Sequence, residues 1–332
     1  MGDSNRQPMN SPPPRPELDA DANVSVDVDG LDCYRAIHGL SQGCDSGEAD
    51  PLWTVGIERA RQLFDQVGVA ATFFVVGRDL EIEAHRQQTI QLVESGHEIA
   101  NHSYDHPYDL RRHPEVELLY QIEATNRIIA DVTGTRPVGF RTPGYNVDAD
   151  VIALSRRSGH RYDASVFPCI SYWLAKAAVM GWRAMRGDRS KSDATDPKTL
   201  LSPRQPYFPD PLECWHPAPT RTGYVEIPVA TFAGRMIPII GTSLHLLDGA
   251  GLHRLWPQID RSFPQFFNLE MHAIDFVDAT DLKEVTDVEE LVARQPDLRI
   301  PWHKKKERYR RLLELMTRRR VVATLAEATA SI

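Results

Sequence analysis

Two short polar stretches of this sequence contain groups that can bind a metal ion. The first reads Ser-Val-Asp-Val-Asp-Gly and contains Asp27 and Asp29, whose spacing puts them on the same side of an extended chain. The second reads Asn-His-Ser-Tyr-Asp-His and contains His102 and His106, whose spacing lets two imidazoles converge on one ion. Two imidazoles and one carboxylate suit a divalent metal, and the other carboxylate remains for proton transfer. The combination predicts a metal-assisted hydrolase.

Each of these stretches also has a simpler interpretation when it is taken alone. An aspartate pair followed by Gly30 is typical of a capped turn, and two histidines four apart are typical of a solvated helix face. The two stretches occur together, however, and each follows its own apolar run. Their joint occurrence therefore favours the metal site.

Two further motifs supply groups for acid–base chemistry. Arg141, in Arg-Thr-Pro-Gly-Tyr, follows a predicted strand and can hold a carboxylate through two parallel hydrogen bonds. His272, in Glu-Met-His-Ala-Ile-Asp, ends another strand and can protonate a leaving group. The alternatives are an arginine in a surface turn and a core histidine that is bonded to the backbone.

The remaining histidines lack partners at ligand spacing. His97 precedes the histidine pair, and we expect it to be a structural hydrogen-bonding residue. The others, which include His85 and His160, are expected on the surface or in loops.

Apolar runs that favour strands alternate along the chain with stretches of helical spacing. We predict strands at residues 24–28, 71–76, 97–101, 138–141, 162–166, 224–229, 267–274 and 321–325, and helices at residues 53–67, 85–94, 114–132, 148–158, 252–259 and 304–317. This alternation predicts an α/β fold whose parallel sheet closes, or nearly closes, into a barrel. The alternative is an open doubly wound sheet, although no Gly-rich phosphate loop follows the first strand. In a barrel the candidate residues share the carboxyl ends of the strands.

Two parts of the sequence depart from this alternation. Residues 1–22 are rich in Pro, Asp and Asn and have no apolar core, so we predict a disordered tail before a barrel at 23–332. Residues 171–219 form an insertion that is first apolar and then polar and Pro-rich. An insertion after a barrel strand lies over the active-site face, where it can act as a lid or contact a membrane surface through residues 171–186. The alternative is a helix packed on the barrel with an irregular linker.

Composition restricts the class of protein further. The 332 residues suit one barrel, and the net charge of −8 argues against a nucleic-acid-binding surface. Because no run of about eighteen apolar residues occurs, we expect no membrane-spanning helix. The four cysteines have no metal-binding spacing, which predicts reduced thiols and a cytoplasmic location; they are Cys33, Cys44, Cys169 and Cys214.

Taken in order, the motifs resemble a known family. They are Ser-Val-Asp-Val-Asp-Gly, His-Ser-Tyr-Asp-His, Arg-Thr-Pro-Gly-Tyr, Tyr-Asp-Ala-Ser and Met-His-Ala-Ile-Asp. This set resembles the five motifs of the NodB-homology polysaccharide deacetylases, carbohydrate esterase family four. The resemblance extends over about residues 20–330. It implies a distorted (β/α) barrel of about seven to eight strands and a metal-dependent hydrolase of N-acyl groups, usually on amino sugars.

The resemblance also implies a metal centre. By position in the motifs, Asp29, His102 and His106 would bind a divalent metal, most often Zn²⁺, with Co²⁺, Ni²⁺, Mn²⁺ and Fe²⁺ as alternatives. Such a set leaves coordination positions open for water and substrate. The backbone N–H of Tyr145 or of a neighbour is the expected donor to the oxyanion.

The same resemblance distributes the catalytic roles. Asp27 would be the general base that deprotonates the attacking water, Arg141 would orient Asp27, and His272 would be the general acid. Asp163 stands where the family often has a residue that tunes this histidine, and Asp275 is the alternative.

The substrate is the least determined feature. In many sugar deacetylases the first two aspartates are adjacent, whereas Val28 separates them here. This spaced form resembles a branch that includes cyclic-amide and allantoin-type hydrolases, some peptidoglycan-deacetylase-like proteins, and deacetylases of exopolysaccharide gene clusters. We therefore expect an N-acetylated amino sugar, with a small cyclic or linear amide as the alternative and a catalytically silent carbohydrate-binding barrel as the third hypothesis. The oligomeric state stays open.

Overall fold

A curled parallel sheet forms the centre of the molecule. The computed structural model describes residues 12–40, 50–185, 195–246 and 249–332. The sheet has seven strands in the order β6-β5-β4-β3-β2-β1-β9, and every adjacent pair is parallel. The strands are β1 (Ala22–Val28), β2 (Thr72–Val75), β3 (Glu98–Asn101), β4 (Gly139–Phe140), β5 (Tyr162–Asp163), β6 (Val225–Glu226) and β9 (Phe267–His272), and a separate antiparallel hairpin consists of β7 (Thr231–Phe232) and β8 (Ile237–Pro238).

Helices connect the strands, as parallel pairing requires. They are α1 (Leu31–His38), α2 (Glu58–Val67), α3 (Glu83–Glu94), α4 (Glu115–Thr133), α5 (Ala149–Arg157), α6 (Ile170–Met185), α7 (Gly249–Arg261), α8 (Val288–Arg294), α9 (Trp302–Thr317) and α10 (Leu325–Ala328). A π-helical turn over Leu52–Ile57 leads directly into α2, and Gly68 ends α2 in the left-handed conformation. The alternation of strands and helices that the sequence predicts is confirmed.

The two edges of the sheet approach each other. The backbone N–H of Ala230, beyond β6, donates to the carbonyl of Asn268 in β9 at 3.1 Å, and the Asn268 side chain donates to Ile227 O at 3.1 Å. The N–H of Gly241 donates to Glu270 O at 2.8 Å. These bonds join β9 to the chain that follows β6. The predicted distorted barrel is therefore confirmed, with seven parallel strands.

Strand β1 shows why the barrel has a polar side. Val24, Val26 and Val28 are fully buried in the main apolar core, which also contains residues of α2, α7 and α9. Because successive strand residues face opposite sides, the intervening Ser25 and Asp27 point away from that core. This alternation directs the polar residues of β1 toward the candidate site.

Two sequence predictions about this architecture are wrong. Residues 321–325 form no strand: Val322 makes a single bridge to Ala22, and α10 begins at Leu325 because Thr324 caps it. His85, expected on the surface or in a loop, is a buried side chain of α3, whereas His160 lies in a loop as expected, between α5 and β5, although its side chain is buried. In the sequence, neither histidine has a partner at metal-ligand spacing. Their burial depends on how the helices pack, which the sequence pattern does not indicate.

The two irregular parts of the chain are described in part. Residues 1–11 of the predicted tail lie outside the described residues, and within 12–22 the N–H of Asp19 donates to Ala328 O at 2.9 Å. The insertion lies between β5 and β6, where α6 and an irregular segment from residue 195 are described and 186–194 are not. The domain boundaries stay a prediction.

The sequence predicts no membrane-spanning helix and reduced thiols, and both predictions can be compared with the described residues. None of the helices there combines the length and the apolar character that crossing a bilayer requires. Cys33, Cys169 and Cys214 are free and buried, and Cys44 lies outside the described residues.

Candidate metal and catalytic site

The predicted site residues meet at the carboxyl ends of neighbouring strands. In the sheet register Asp27 of β1 is opposite both Phe74 of β2 and His272 of β9. His102 follows the last residue of β3, and Arg141 follows the last residue of β4. Parallel strands bring these ends to one edge, so side chains far apart in sequence become neighbours.

Asp29, His102 and His106 converge on one point. Asp29 Oδ1 lies 3.4 Å from His102 Nε2 and 3.2 Å from His106 Nε2, and one ligand atom from each residue lies within 4.8 Å of the others. All three side chains are buried, yet Asp29 Oδ1 has no hydrogen-bond partner among the described residues. A buried carboxylate oxygen without a partner, facing two ring nitrogens, fits a divalent cation.

The tautomer of His102 supports the same interpretation. His102 Nδ1 lies 2.8 Å from the backbone carbonyl of Arg141, which can only accept a hydrogen bond. In the neutral ring the proton therefore belongs on Nδ1, and Nε2 then presents its lone pair toward Asp29 and His106. Metal-bound histidines are commonly held by such a bond.

A turn of unusual backbone conformation positions His106. Ser103 and His106 have positive φ angles of 65° and 55°, which place the second imidazole beside the first without a helix. The N–H of Ser103 donates to Asn101 Oδ1 at 2.8 Å, and the Gln121 side chain accepts from Tyr104 and Asp105 N–H groups at 3.0 and 2.8 Å. The histidine pair is therefore a loop motif fixed by α4.

Buried acids hold the turn that carries Asp29. A Cβ atom on Gly30 would lie 3.1 Å from Asp50 Oδ2 and 3.3 Å from Asp79 Oδ2, so the backbone passes between two carboxyl groups. Asp50 accepts from Leu31 N–H at 2.8 Å and thereby caps α1. Burial raises the pKa of Asp50 to about 6 and, together with the nearby Asp50 charge, that of Asp79 to about 7.

Asp27 is held by a buried guanidinium. Arg141 donates to Asp27 Oδ1, to Ser25 Oγ at 3.0 Å and to Ala164 O at 2.8 Å, and its guanidinium lies 4.1 Å from the centre of the Phe74 ring. Burial opposes ionisation of Asp27, but the charges of Arg141 and the nearby histidines prevail and lower its pKa. Asp27 is thus an ionised carboxylate in a fixed orientation.

His272 lies on the other side of Asp27. Its Nε2 is 3.9 Å from Asp27 Oδ2, and its side chain is 20% exposed, whereas the Asp27 side chain is 4% exposed. Burial disfavours the imidazolium, but the carboxylates of Glu270, Asp27, Asp29 and Asp275 together raise the pKa of His272 to about 9. A histidine that is protonated at neutral pH and open on one side is suited to donate a proton.

Asp163 and Asp275 are the two candidates for adjusting the pKa of His272, and their surroundings differ. Asp275 accepts from the His272 backbone N–H at 2.8 Å, and its charge acts on the imidazole. Asp163 accepts from Ser165 N–H at 2.9 Å and Glu226 accepts from Val166 N–H at 2.9 Å; burial raises the pKa of both acids, and the charge of Asp163 raises that of Glu226 further. Asp275 therefore contacts His272, whereas Asp163 forms an acid pair with Glu226.

Sequence reasoning assigned no role to Glu270. This side chain is fully buried: it lies 3.6 Å from Arg141 Nη1, accepts from the Tyr145 hydroxyl at 2.6 Å and belongs to a cluster with Asp27 and His272. Burial and the Asp27 charge raise the pKa of Glu270 to about 7. The sequence feature that could have identified Glu270 is its position two residues before His272, because residues two apart lie on the same side of a strand.

Tyr145 contributes its hydroxyl to this network. Its backbone N–H, which the sequence predicts as an oxyanion donor, donates to Thr142 O at 3.3 Å. Its φ angle is 59°, and Gly144 beside it has a φ of 60°. This left-handed turn directs the Tyr145 ring toward Glu270.

Comparison with known proteins shows that the chain is similar to one family. Residues 48–162 match the polysaccharide deacetylase family. A peptidoglycan deacetylase-like protein of Gibberella zeae is 32% identical over 188 residues, which are 55% of this chain and 54% of that protein. The peptidoglycan deacetylase of Helicobacter pylori is 29% identical over 151 residues, 42% of this chain and 47% of its own. The chain thus spans about half the length of these curated relatives.

A solved structure shares the fold. A protein from Mycobacterium smegmatis assigned to the polysaccharide deacetylases matches with a TM-score of 0.51 and 18% identity, over 83% of this chain and 92% of that one. The fold is therefore that of the NodB type, and the relationship to the polysaccharide deacetylases that the motifs predict is confirmed.

Proposed function

We propose that this protein is a metal-dependent hydrolase that removes an N-acetyl group from an amino sugar. The observation that carries the proposal is the convergence of Asp29, His102 and His106 at one point, with Asp27 within 3.7 Å of His102 Nε2. A separate carboxylate beside a three-residue ligand set is the arrangement that metal-assisted hydrolysis needs. A protein that only binds carbohydrate has no use for it.

The proposed chemistry divides between two sides of the site. Asp29, His102 and His106 would hold a divalent cation, which would supply Lewis acidity for activating water near neutral pH and for polarising an acyl carbonyl. Asp27 accepts the proton of the attacking water, and Arg141 keeps its carboxylate ionised and oriented. His272, protonated at neutral pH, donates a proton to the nitrogen of the departing amine. The acetyl group leaves as acetate, and the sugar keeps a free amine.

Two observations support an amino sugar as the substrate. The matched family acts on polysaccharides by its description, and two curated relatives carry the name peptidoglycan deacetylase or a variant of it. Small cyclic and linear amides remain the alternative substrates that the same chemistry can serve. The cytoplasmic location stays a prediction.

The first test measures metal content and product. Purified protein loaded with Zn²⁺ or Co²⁺ is expected to release acetate from N-acetylated amino-sugar oligomers, with an equivalent amount of free amine. Asp27→Asn should keep the metal and lower kcat by about a hundredfold or more, because it removes the base and leaves the ligands. Full activity of this variant would refute Asp27 as base, and ring opening of cyclic imides without acetate release would favour the alternative substrate.

A second variant pair tests the ligands. His102→Ala is expected to lower the bound metal well below one ion per chain, measured by atomic absorption. His113→Ala is the matched control: it removes a histidine of the same part of the chain, bonded to Asp109 at 3.1 Å, and should leave metal content unchanged. Equal metal content in both variants would contradict the proposed site.

A further inference from the structure

Asp163 and Glu226 lie side by side at the carboxyl end of the sheet. They are partners in the register of β5 and β6, so their side chains are on the same side of the sheet. Both side chains are fully buried. One oxygen of each acid holds the chain that follows β5: Asp163 Oδ1 accepts from Ser165 N–H and Glu226 Oε1 accepts from Val166 N–H, both at 2.9 Å.

The second oxygen of each acid is buried and receives no such bond. Asp163 Oδ2 and Glu226 Oε2 have no hydrogen-bond partner among the described residues. Two ionised carboxylates placed side by side away from water would repel each other, and neither could donate a hydrogen bond. A single proton between the two oxygens removes this repulsion and gives each oxygen a partner. The geometry therefore favours an acid pair that holds one proton.

The surroundings of the pair are consistent with this proton. Burial raises the pKa of both acids, and the charge of Asp163 raises that of Glu226 further, although the nearby Arg141 guanidinium lowers both pKa values. Other titratable groups near the pair are neutral, because burial raises their pKa values well above neutral pH; they include Tyr207, Cys214 and Tyr224. One positive charge thus stands beside one shared negative charge.

The segment that the pair fixes is bonded to the motif that carries Arg141. Arg141 Nε donates to Ala164 O at 2.8 Å, and Thr142 N–H donates to Ser165 Oγ at 2.8 Å. These two bonds attach the side chain of Arg141, and the backbone that follows it, to residues 164 and 165. The position of Arg141 therefore depends on the conformation of residues 163–166.

Arg141 contacts both halves of the candidate site. Its guanidinium donates to Asp27, and its backbone carbonyl oxygen lies 2.8 Å from His102 Nδ1. The same residue thus orients the proposed base and one proposed metal ligand. A displacement of Arg141 would change the orientation of both.

We propose that Asp163 and Glu226 share one proton and act as positioning residues for Arg141. Resting on the proposed function, the inference adds that this pair maintains the orientation of the base Asp27 and of the ligand His102. Both acids act through Arg141, so the loss of the pair should change orientation and leave every proposed catalytic group in the chain.

Amide variants of the same shape test the shared proton. In Asp163→Asn the amide NH₂ can donate to Glu226 while the amide oxygen still accepts from Ser165 N–H, and Glu226→Gln is the reciprocal case. Each single variant should keep its Zn²⁺ affinity and kcat within about threefold of wild type. In Asp163→Asn/Glu226→Gln the two NH₂ groups meet with no acceptor between them. This double variant should bind Zn²⁺ about tenfold more weakly and have an about tenfold lower kcat at a similar KM.

Infrared difference spectra give a readout that does not depend on activity. At neutral pH wild type should show the C=O band of a protonated carboxyl group that each single variant lacks, because the amide replaces the proton donor and leaves the other acid ionised. Absence of this band from the wild-type minus variant spectrum would overturn the shared proton. Single variants as impaired as the double variant would overturn it too.

Two further variants separate positioning from stability. Glu98→Gln is the matched control, because Glu98 is the first residue of β3, at the opposite end of the sheet, and accepts from the Tyr162 hydroxyl of β5 at 2.7 Å. It should keep wild-type Zn²⁺ affinity and kcat even if its melting temperature falls. Ser165→Ala removes the acceptor of Thr142 N–H and should weaken Zn²⁺ binding about fivefold, measured by competition with a chromogenic chelator. Wild-type affinity in both Ser165→Ala and the double variant would overturn the positioning role.

Acetate release separates this inference from the proposed function. If wild type binds Zn²⁺ but releases no acetate from acetylated amino-sugar oligomers, the deacetylase function is refuted, and the affinity and infrared results still decide on the acid pair. If wild type and the double variant release acetate at equal rates and bind Zn²⁺ equally, the proposed function stands and the positioning role is overturned.

Discussion

Asp27 lies between two groups of acidic and histidine side chains. On one side are Asp29, His102 and His106, the candidate ligands, and on the other are Glu270 and His272. Unlike charges stabilise one another at these distances in a buried setting, which keeps Asp27 ionised and His272 protonated. The site thus holds a base and an acid in the states that hydrolysis requires before substrate arrives.

Glu270 is expected to set the protonation range of His272. Above its own pKa of about 7 Glu270 is ionised, and its charge is one of those that raise the pKa of His272 to about 9 against the effect of burial. In Glu270→Gln this charge is absent, so the alkaline limb of the pH profile of kcat/KM should move to lower pH by about one unit. The measurement is acetate release as a function of pH.

The conservative variant distinguishes charge from packing. Glu270→Asp keeps a carboxylate and should leave the alkaline limb near its wild-type position, even if kcat falls because the bond to Tyr145 is lost. A pH profile of Glu270→Gln that coincides with that of wild type would show that this charge does not act on His272.

Strand β4 depends on a close approach of two strands. A Cβ atom on Gly139 would lie 1.9 Å from Tyr162 Cζ, and Tyr162 is fully buried and donates to Glu98 Oε1 at 2.7 Å. Gly139→Ala must therefore displace the Tyr162 ring and weaken that hydrogen bond. We expect the free energy of unfolding to fall by about 3 kcal/mol, measured by urea denaturation.

Gly181 in α6 provides the matched control. An added Cβ there meets no described atom within 4 Å, and alanine favours a helix more than glycine does. Gly181→Ala should leave the free energy of unfolding unchanged or raise it by up to about 1 kcal/mol. A Gly139→Ala variant as stable as this control would show that β5 can move away from β4.

At the scale of the whole molecule, buried neutral histidines make stability depend on pH. Burial lowers the pKa of His160 to about 3 and that of His97 to about 4. His160 is bonded to Ser155 Oγ and Asn126 Oδ1, both at 2.9 Å, and His97 accepts from Ala71 N–H at 3.1 Å. The expectation that His97 is a structural residue is therefore met by its geometry.

The sign of this dependence follows from proton binding. Below pH 6.5 the unfolded chain binds a proton at His160 that the folded protein does not bind, so stability present above pH 6.5 is lost as the pH falls toward about 3. Between pH 7 and pH 5 we expect His160 to account for a loss of about 2 kcal/mol. His160→Gln should reduce the difference in unfolding free energy between these pH values by that amount.

An exposed histidine serves as the control for this measurement. His303 in α9 is exposed, and His303→Gln should show the same pH dependence of the unfolding free energy as wild type. If His160→Gln also retained the full wild-type dependence, the buried histidine would not be its source.

The fold was largely predictable because its signals are local. The helices after β1, β2, β3 and β4 follow from apolar spacing and from glycine at their ends, as at Gly68. Residues 321–325 were predicted as a strand because their apolar character was considered without the cap at Thr324. In the structure Val322 makes one isolated bridge to Ala22, and α10 begins at Leu325.

The candidate site was predictable in its residue types but not in its partnerships. The alternation of side chains along β1 and β9 indicated which side of its strand Asp27 and His272 occupy. The four-residue spacing of His102 and His106 indicated that they form a pair of metal ligands. Only the tertiary structure decided that Asp163 pairs with Glu226, that Glu270 joins His272, and that the apolar side of α6 faces outward. The physical reason is that spacing acts within one element, whereas contacts and burial depend on strand order and on the curl of the sheet, which bring distant residues together.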